Sequence, residues 1–390
     1  MTLALAAAAL ALAGLAPAGA RVVTISNSLP RLDTAGDVID AHSGNIVAVN
    51  GTFYLYGEKY DSVSGVGPSP PLLRPRLVVY TSPDLVAWTN RGEIFSTWPN
   101  FPYGTFFTPW AVFDAARDQF VIWFNAYENG CCLGDWGVAT SRDGLRFDVL
   151  SMHVKGKYGA VDCNSVFIDD DGAGYVLYTS EDADHTHSIE ALTPDYTNTS
   201  GVNLGLFGER YTEGGVLFKR GATYYAGFGS CSCFGRNGSG WVVHSAPSPR
   251  GPWTRQARDA NCALAAADAV CGGYGERVGD PITVAAQGIG LSLIPLADGS
   301  VARLWSGERW LSAPFNNPSC PDECQKQTGA CADDPRYVKG HGFSYWVPLA
   351  FAADGAVEQF APFVDSFTLD VAEGFGTEHL PRGRPRGAAA

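Results

Sequence analysis

Five times along the chain an aromatic and β-branched run follows a tight turn: residues 51–58 (GTFYLYGE), 118–127 (DQFVIWFNAY), 172–182 (GAGYVLYTSED), 221–230 (GATYYAGFGS) and 299–310 (GSVARLWSGERW). Runs of this kind read as strands, and Asn50-Gly51, Asp171-Gly172 and Asp298-Gly299 are hairpin-forming pairs. Each run is an innermost-strand candidate. Beside three of them a second pattern turns a strand around an aromatic residue: 81–89 (TSPDLVAWT), 139–147 (ATSRDGLRF) and 245–254 (SAPSPRGPWT). The runs begin 49 to 78 residues apart, an irregular period that suits a propeller with loops of variable length. Beyond residue 20 the one Ala-rich stretch is 261–270 (NCALAAADAV), so helices have little foothold. With 46% hydrophobic and 17% charged residues there is ample material for a core. The chain is therefore predicted to be all-β, a five-bladed β-propeller over residues 21–372. A β-sandwich also gives many short strands, but not this repeated order of hairpin and aromatic turn.

Residues 1–20 are uncharged and apolar and end in Ala18-Gly19-Ala20 before Arg21, the pattern of a cleaved secretory signal; the alternative is a short membrane anchor, because no Lys or Arg precedes the apolar stretch. A secreted protein, free of the membrane after cleavage, is expected. Ten cysteines behind such a signal favour disulfides over a metal centre. Cys262 with Cys271, and two of Cys320, Cys324 and Cys331, are plausible local staples, with connectivity left open. Sequons begin at Asn50, Asn198 and Asn237, as in a glycoprotein. Residues 373–390, rich in Gly, Pro and Arg, read as a disordered tail. The net charge of −13 disfavours nucleic acid and anionic lipid as partners and suits a neutral ligand. A monomer with no cofactor and no metal is expected.

A propeller brings one strand end per blade to a common axial mouth. Polar residues flanking the runs are therefore the site candidates: His42, Glu58, Asn125, Asp162, Glu181, Glu213, Gln287 and Glu308. Any one of them alone reads as a cap on a strand or loop. Several carboxylates gathered in an aromatic mouth instead suit acid–base chemistry on a sugar, because burial and neighbouring negative charge keep one acid protonated.

Residues 212–229 (TEGGVLFKRGATYYAGFG) and 163–182 (CNSVFIDDDGAGYVLYTSED) resemble two blocks of glycoside hydrolase family 43. The segments DAHSGN, FYLYGE, AQGIGLSLIPL, SGERW and FSYWVPLAF resemble the branch containing exo-acting galactan 1,3-β-galactosidases. The resemblance spans about residues 35–350 and implies an oligo- or polysaccharide substrate, with galactan hydrolysis by inversion as the leading activity. It implies Glu213 as general acid and Asp162 as the group that tunes and orients it. Asp162 matches the family's Asp only through a bulge, since the expected place, four residues before Phe167, holds Cys163. The usual first-blade Asp is absent from Ser43-Gly44-Asn45, and the branch pattern implies Gln287 at the base position. An inverting pair is expected about 6.5–9.5 Å apart across the pocket. His42, Glu58, Asn125, Glu181 and Glu308 are expected to bind sugar hydroxyls, with Trp110 and Trp310 as stacking platforms. Thr108-Pro109-Trp110-Ala111 replaces a Glu-Arg-Pro-Lys segment of the branch, so one expected carboxylate is missing. α-Arabinofuranosidase, β-xylosidase and a non-catalytic carbohydrate-binding propeller are the alternatives.

Overall fold

A computed structural model describes residues 19–63, 75–97, 103–128, 134–159, 161–231, 234–235, 238–261, 282–313 and 336–381. Strands dominate, in five antiparallel sheets arranged as a five-bladed β-propeller. Blade I comprises β2 (Ile46–Val49), β3 (Thr52–Lys59), β4 (Arg76–Ser82) and β5 (Thr89–Glu93). Blade II comprises β6 (Tyr103–Asp114), β7 (Gln119–Glu128), β8 (Gly134–Ser141) and β9 (Asp148–Val154). Blade III comprises β10 (Val161–Ile168), β11 (Gly174–Ser180), β12 (Thr186–Leu192) and β13 (Thr199–Phe207). Blade IV comprises β14 (Thr212–Arg220), β15 (Thr223–Ser230), β16 (Val242–Ala246) and β17 (Thr254–Arg255). Blade V has β18 (Gln287–Pro295), β19 (Val301–Arg309) and β20 (Phe343–Pro348). Outside the blades, β1 (Ala20–Ser26) pairs with β21 (Ser366–Ala372), joining the two ends of the chain.

The five aromatic runs form the second strand of each blade, β3, β7, β11, β15 and β19, and not the innermost one. This corrects the expectation from sequence. The innermost strands β2, β6, β10, β14 and β18 are the ones that meet their neighbours around the axis. A second strand is flanked by strands on both sides, so it carries the densest apolar pattern. The aromatic turns lie where expected, between the third and fourth strands, and seat Trp88, Phe147 and Trp253.

Large rings interlock within and between blades: Trp123 meets Trp136 inside blade II at 5.5 Å, Trp136 meets Tyr178 of blade III at 4.9 Å, and Trp305 of blade V meets Phe360 at 4.9 Å. At about 25 cal/mol per Å², each such ring stabilises the fold by about 4–6 kcal/mol before entropy. Because inner strands of adjacent blades do not pair, polar side chains span the gap. Asn45 exchanges two 2.9 Å bonds with the backbone of Ala111, Ile46 N–H donates to Ser292 at 2.8 Å, and Leu217 N–H donates to Ser165 at 3.2 Å. These bonds satisfy buried backbone groups and hold the ring closed.

Residues 373–381 pack onto the propeller, with Phe375 buried against Phe53 and Leu380 against the core of blades I and II, so the tail expected from residue 373 is ordered at least to Pro381. The cysteine staples expected at Cys262–Cys271 and among Cys320, Cys324 and Cys331 lie outside the described residues. No helix among the described residues is long and apolar enough to cross a membrane.

Candidate active site

The same backbone feature recurs in all five blades at one end of the axis. His42 opposes Glu58 while Ile46 opposes Leu55, so one extra residue enters the inner strand of blade I between them. Equivalent shifts follow Phe107, Asp162, Glu213 and Gly288 in the other four blades. The residue after each is Ser43, Thr108, Cys163, Gly214 or Ile289. Four of them have positive φ: 55° for Ser43, 45° for Thr108, 40° for Cys163 and 68° for Gly214. A bulge turns a side chain out of the strict alternation of its strand, and backbone strain of this kind gathers at functional sites.

The bulges line one pocket of about 100 Å³. Ser43, Thr108, Cys163 and Ile289 line it beside Glu58, Asp162, Glu181, His185, Glu213 and Gln287, within aromatic walls from Phe107, Tyr127, Phe234 and Trp310. The bulge required for Asp162 to match its role is therefore present. Ser43, Thr108, Cys163 and Ile289 were not among the residues selected from sequence. Their signal is the register shift between each inner strand and its partner, which exists only once the two strands are paired.

Glu213 is 3% exposed and accepts a 2.6 Å hydrogen bond from Gln287 Nε2. Gln287 Oε1 accepts from Trp310 Nε1 at 2.7 Å and from the Phe234 N–H at 3.4 Å. The amide is thereby held by both ends, oxygen toward Trp310 and Phe234 and nitrogen toward Glu213. The two residues touch instead of facing one another across the pocket, a correction of the expected separation. Blades IV and V are neighbours in the ring, and both residues begin inner strands.

Asp162 accepts from Tyr127 OH at 2.6 Å and from the Cys163 N–H at 2.8 Å. Glu58 is bound by Tyr60 OH and by the Thr108 N–H. Burial, partly opposed by these donors, pushes Glu58 up to about 8. Glu181, in the 3₁₀ turn after β11, is also pushed up to about 8, by burial and then by Asp162, Asp182 and Glu213. The pocket thus gathers four carboxylates, and two of them, Glu58 and Glu181, hold their protons more tightly than free carboxyls do.

Four expected ligand-binding residues lie elsewhere. His42 is 1% exposed and sits between Asp40 at 3.2 Å and Glu308 at 3.1 Å. Burial opposes its charge, but the bonds to Asp40 and Glu308 outweigh burial and push the imidazole up to about 10. Glu308 is spent on this cation, on the Ser43 N–H at 3.1 Å and on Ser344 OH at 2.7 Å, and does not line the pocket. It holds the bulged Ser43 in place. Asn125 accepts from Thr108 OH and donates to Val161 O at 3.1 Å, so its amide supports the bulge of blade II from behind. Trp110 falls beyond that bulge, and the extra residue turns it into the core, 4% exposed.

The carbohydrate-active family of this fold is decided by the sequence of this segment. The model of glycosyl hydrolases family 43 matches residues 39–263, more than half of the chain. The chain belongs to glycosyl hydrolase family 43. Among solved structures, this family 43 protein resembles an exo-β-1,3-galactanase of Clostridium thermocellum, with a TM-score of 0.67 and 23% identity over 90% of this chain and 68% of that one. It resembles likewise the exo-β-1,3-galactanase of Phanerochaete chrysosporium solved with galactose, with a TM-score of 0.65 and 22% identity over 90% of this chain and 69% of that one. At such identities the likeness is one of fold. No curated protein sequence matches the chain.

A pH dependence of stability follows from two strongly displaced groups. His42 titrates at 6.5 when exposed and at about 10 when folded, and Glu58 at 4.5 and about 8. In both cases the native state holds the proton more tightly, so the stability contributed is complete below the unfolded value and is lost as pH rises through the folded one. The melting temperature is expected to fall between about pH 4.5 and 10, with a shallower fall below about pH 8 in Glu58→Gln. An unchanged melting temperature across that range would contradict the assignment.

Proposed function

We propose that this family 43 glycoside hydrolase is a secreted, inverting exo-β-1,3-galactanase that removes galactose from arabinogalactan-type β-1,3-galactan. The observation that carries the reading is the acid Glu213, buried at the end of a small aromatic-walled axial pocket and fixed there by Gln287. A pocket of about 100 Å³ lined by residues of all five blades suits the terminal sugar of a chain, in keeping with exo action. Secretion is supported by the Ala18-Gly19-Ala20 site: cleavage after Ala20 removes one residue pair, Ala20 with Ala372, and leaves six in the β1–β21 ladder.

In this reading Glu213 gives its proton to the departing glycosidic oxygen. Asp162, one oxygen of which lies within 4.8 Å of one of Glu213, is the neighbouring carboxylate assigned to tune and orient the acid. Gln287, whose oxygen is already occupied by two donors, positions the acid and is not free to take a proton from water. Inversion places the attacking water on the opposite face of the sugar. The blades not adjacent to blade IV are I and II, and the carboxylate they contribute to the pocket lining is Glu58, which takes the water-activating role in its ionised form, present as pH rises toward about 8.

Incubation with β-1,3-galactobiose, followed by proton NMR, tests the function: α-galactose is expected as the first-formed anomer. Release from aryl β-xyloside or α-arabinofuranoside, with galactobiose left intact, would replace the galactanase reading by another specificity. Binding of galactan with no sugar released would favour a non-catalytic propeller. Gln287→Ala is expected to lower kcat about 10²-fold through misplacement of the acid, with KM little altered. An equal loss in both Gln287→Ala and Gln287→Glu would point instead to a chemical role for the amide.

A further inference from the structure

Cys163, the bulged residue of blade III, is 7% exposed, lines the pocket and is not part of a disulfide. Its Sγ, one oxygen of Asp162 and one of Glu213 lie within 4.8 Å of one another. Burial and then the charges of Asp162 and Glu213 push the thiol well above its ordinary range, which makes it a poor nucleophile. A metal ion reverses that preference, because it takes the place of the thiol proton.

A second observation points to a cation. Among the residues lining the pocket, Glu58, Asp162, Glu181 and Glu213 are acidic and His185 is the sole basic one.

We propose that Asp162, Cys163 and Glu213 form a binding site for one thiophilic divalent cation of the zinc class, which blocks hydrolysis by occupying the general acid. One sulfur and two oxygens, with water as a fourth ligand, make a tetrahedral set of borderline softness. Calcium and magnesium prefer six or more oxygens in their shells, and the thiol excludes them. Ideal metal–ligand lengths place the three ligand atoms about 3.5 Å apart, within reach of small side-chain rotations. Binding replaces the S–H bond by a sulfur–metal bond and releases that proton to the buffer, with no change of oxidation state. The blocking effect rests on Glu213 being the acid; the binding itself does not.

The full chain is titrated with cadmium chloride as a zinc substitute, following thiolate-to-cadmium charge-transfer absorption. The wild type is expected to gain one equivalent of signal that Cys163→Ser lacks, and Glu213→Gln to bind at least about tenfold more weakly. Identical titrations of wild type and Cys163→Ser would overturn the site. Circular dichroism checks the fold of Cys163→Ser; should it not fold, Asp162→Asn takes its place, with a tenfold loss of affinity expected and an unchanged affinity overturning the site. Zinc chloride is expected to inhibit sugar release from the wild type, reversibly by EDTA, and to leave Cys163→Ser at least tenfold less sensitive. If no sugar release occurs at all, the functional reading fails while the cadmium titration still decides the site.

Discussion

Glu213→Gln is expected to lower kcat on β-1,3-galactobiose by about 10²–10⁴-fold, with KM nearly unchanged. The substitution keeps the shape of the side chain and an oxygen for the 2.6 Å bond from Gln287, so folding should be intact. What disappears is the proton for the departing oxygen. An aryl galactoside whose leaving group is a stable anion needs no such proton, so its hydrolysis should fall much less. That contrast separates an acid from a residue that merely shapes the pocket. Equal losses on both substrates would remove Glu213 from the role.

Gly214→Ala should be among the most damaging changes that add only one methyl group. Gly214 has φ +68°, and an added Cβ would stand 2.2 Å from the backbone oxygen of Gly288. No flexible side chain can move aside there, so β14 and β18 must separate. Strain at the positive φ and the overpacking together are expected to cost about 2–5 kcal/mol. Because Gly288 follows Gln287 directly, the separation also pulls the amide from the acid, and kcat should fall about 10²-fold. Gly221→Ala is the control: φ is +59° but nothing lies within 4 Å of the added atom. It should lose about 1 kcal/mol and keep its activity. Similar behaviour of the two variants would show that the contact with blade V is unimportant. This contact also accounts for a charged residue beside two glycines at the start of a buried hairpin: the acid needs a backbone that can pass close under the neighbouring blade.

Six of the residues selected from sequence, Glu58, Asp162, Glu181, Glu213, Gln287 and Trp310, converge in the pocket. They were legible because carboxylates, an amide and an indole at strand ends are rare enough to stand out against apolar runs. His42 and Glu308 looked the same by that criterion, yet they neutralise one another across 266 residues of chain and support Ser43 instead of the ligand. Asn125 likewise serves Thr108. Nothing local distinguishes a polar residue that faces a ligand from one that holds the next layer.

By itself the sequence determined the number of blades, the hairpin and aromatic turns, the apolar runs and Glu213 with its glycines, because each is written in a short window of residues with its own physical preference. The tertiary structure alone decided which side chains face the axis. A single extra residue per inner strand reverses the alternation beyond it, sending Trp110 to the core and Ser43, Thr108 and Cys163 to the pocket. That residue is an insertion only relative to its partner strand, so it exists in the ladder between two strands and in neither strand alone.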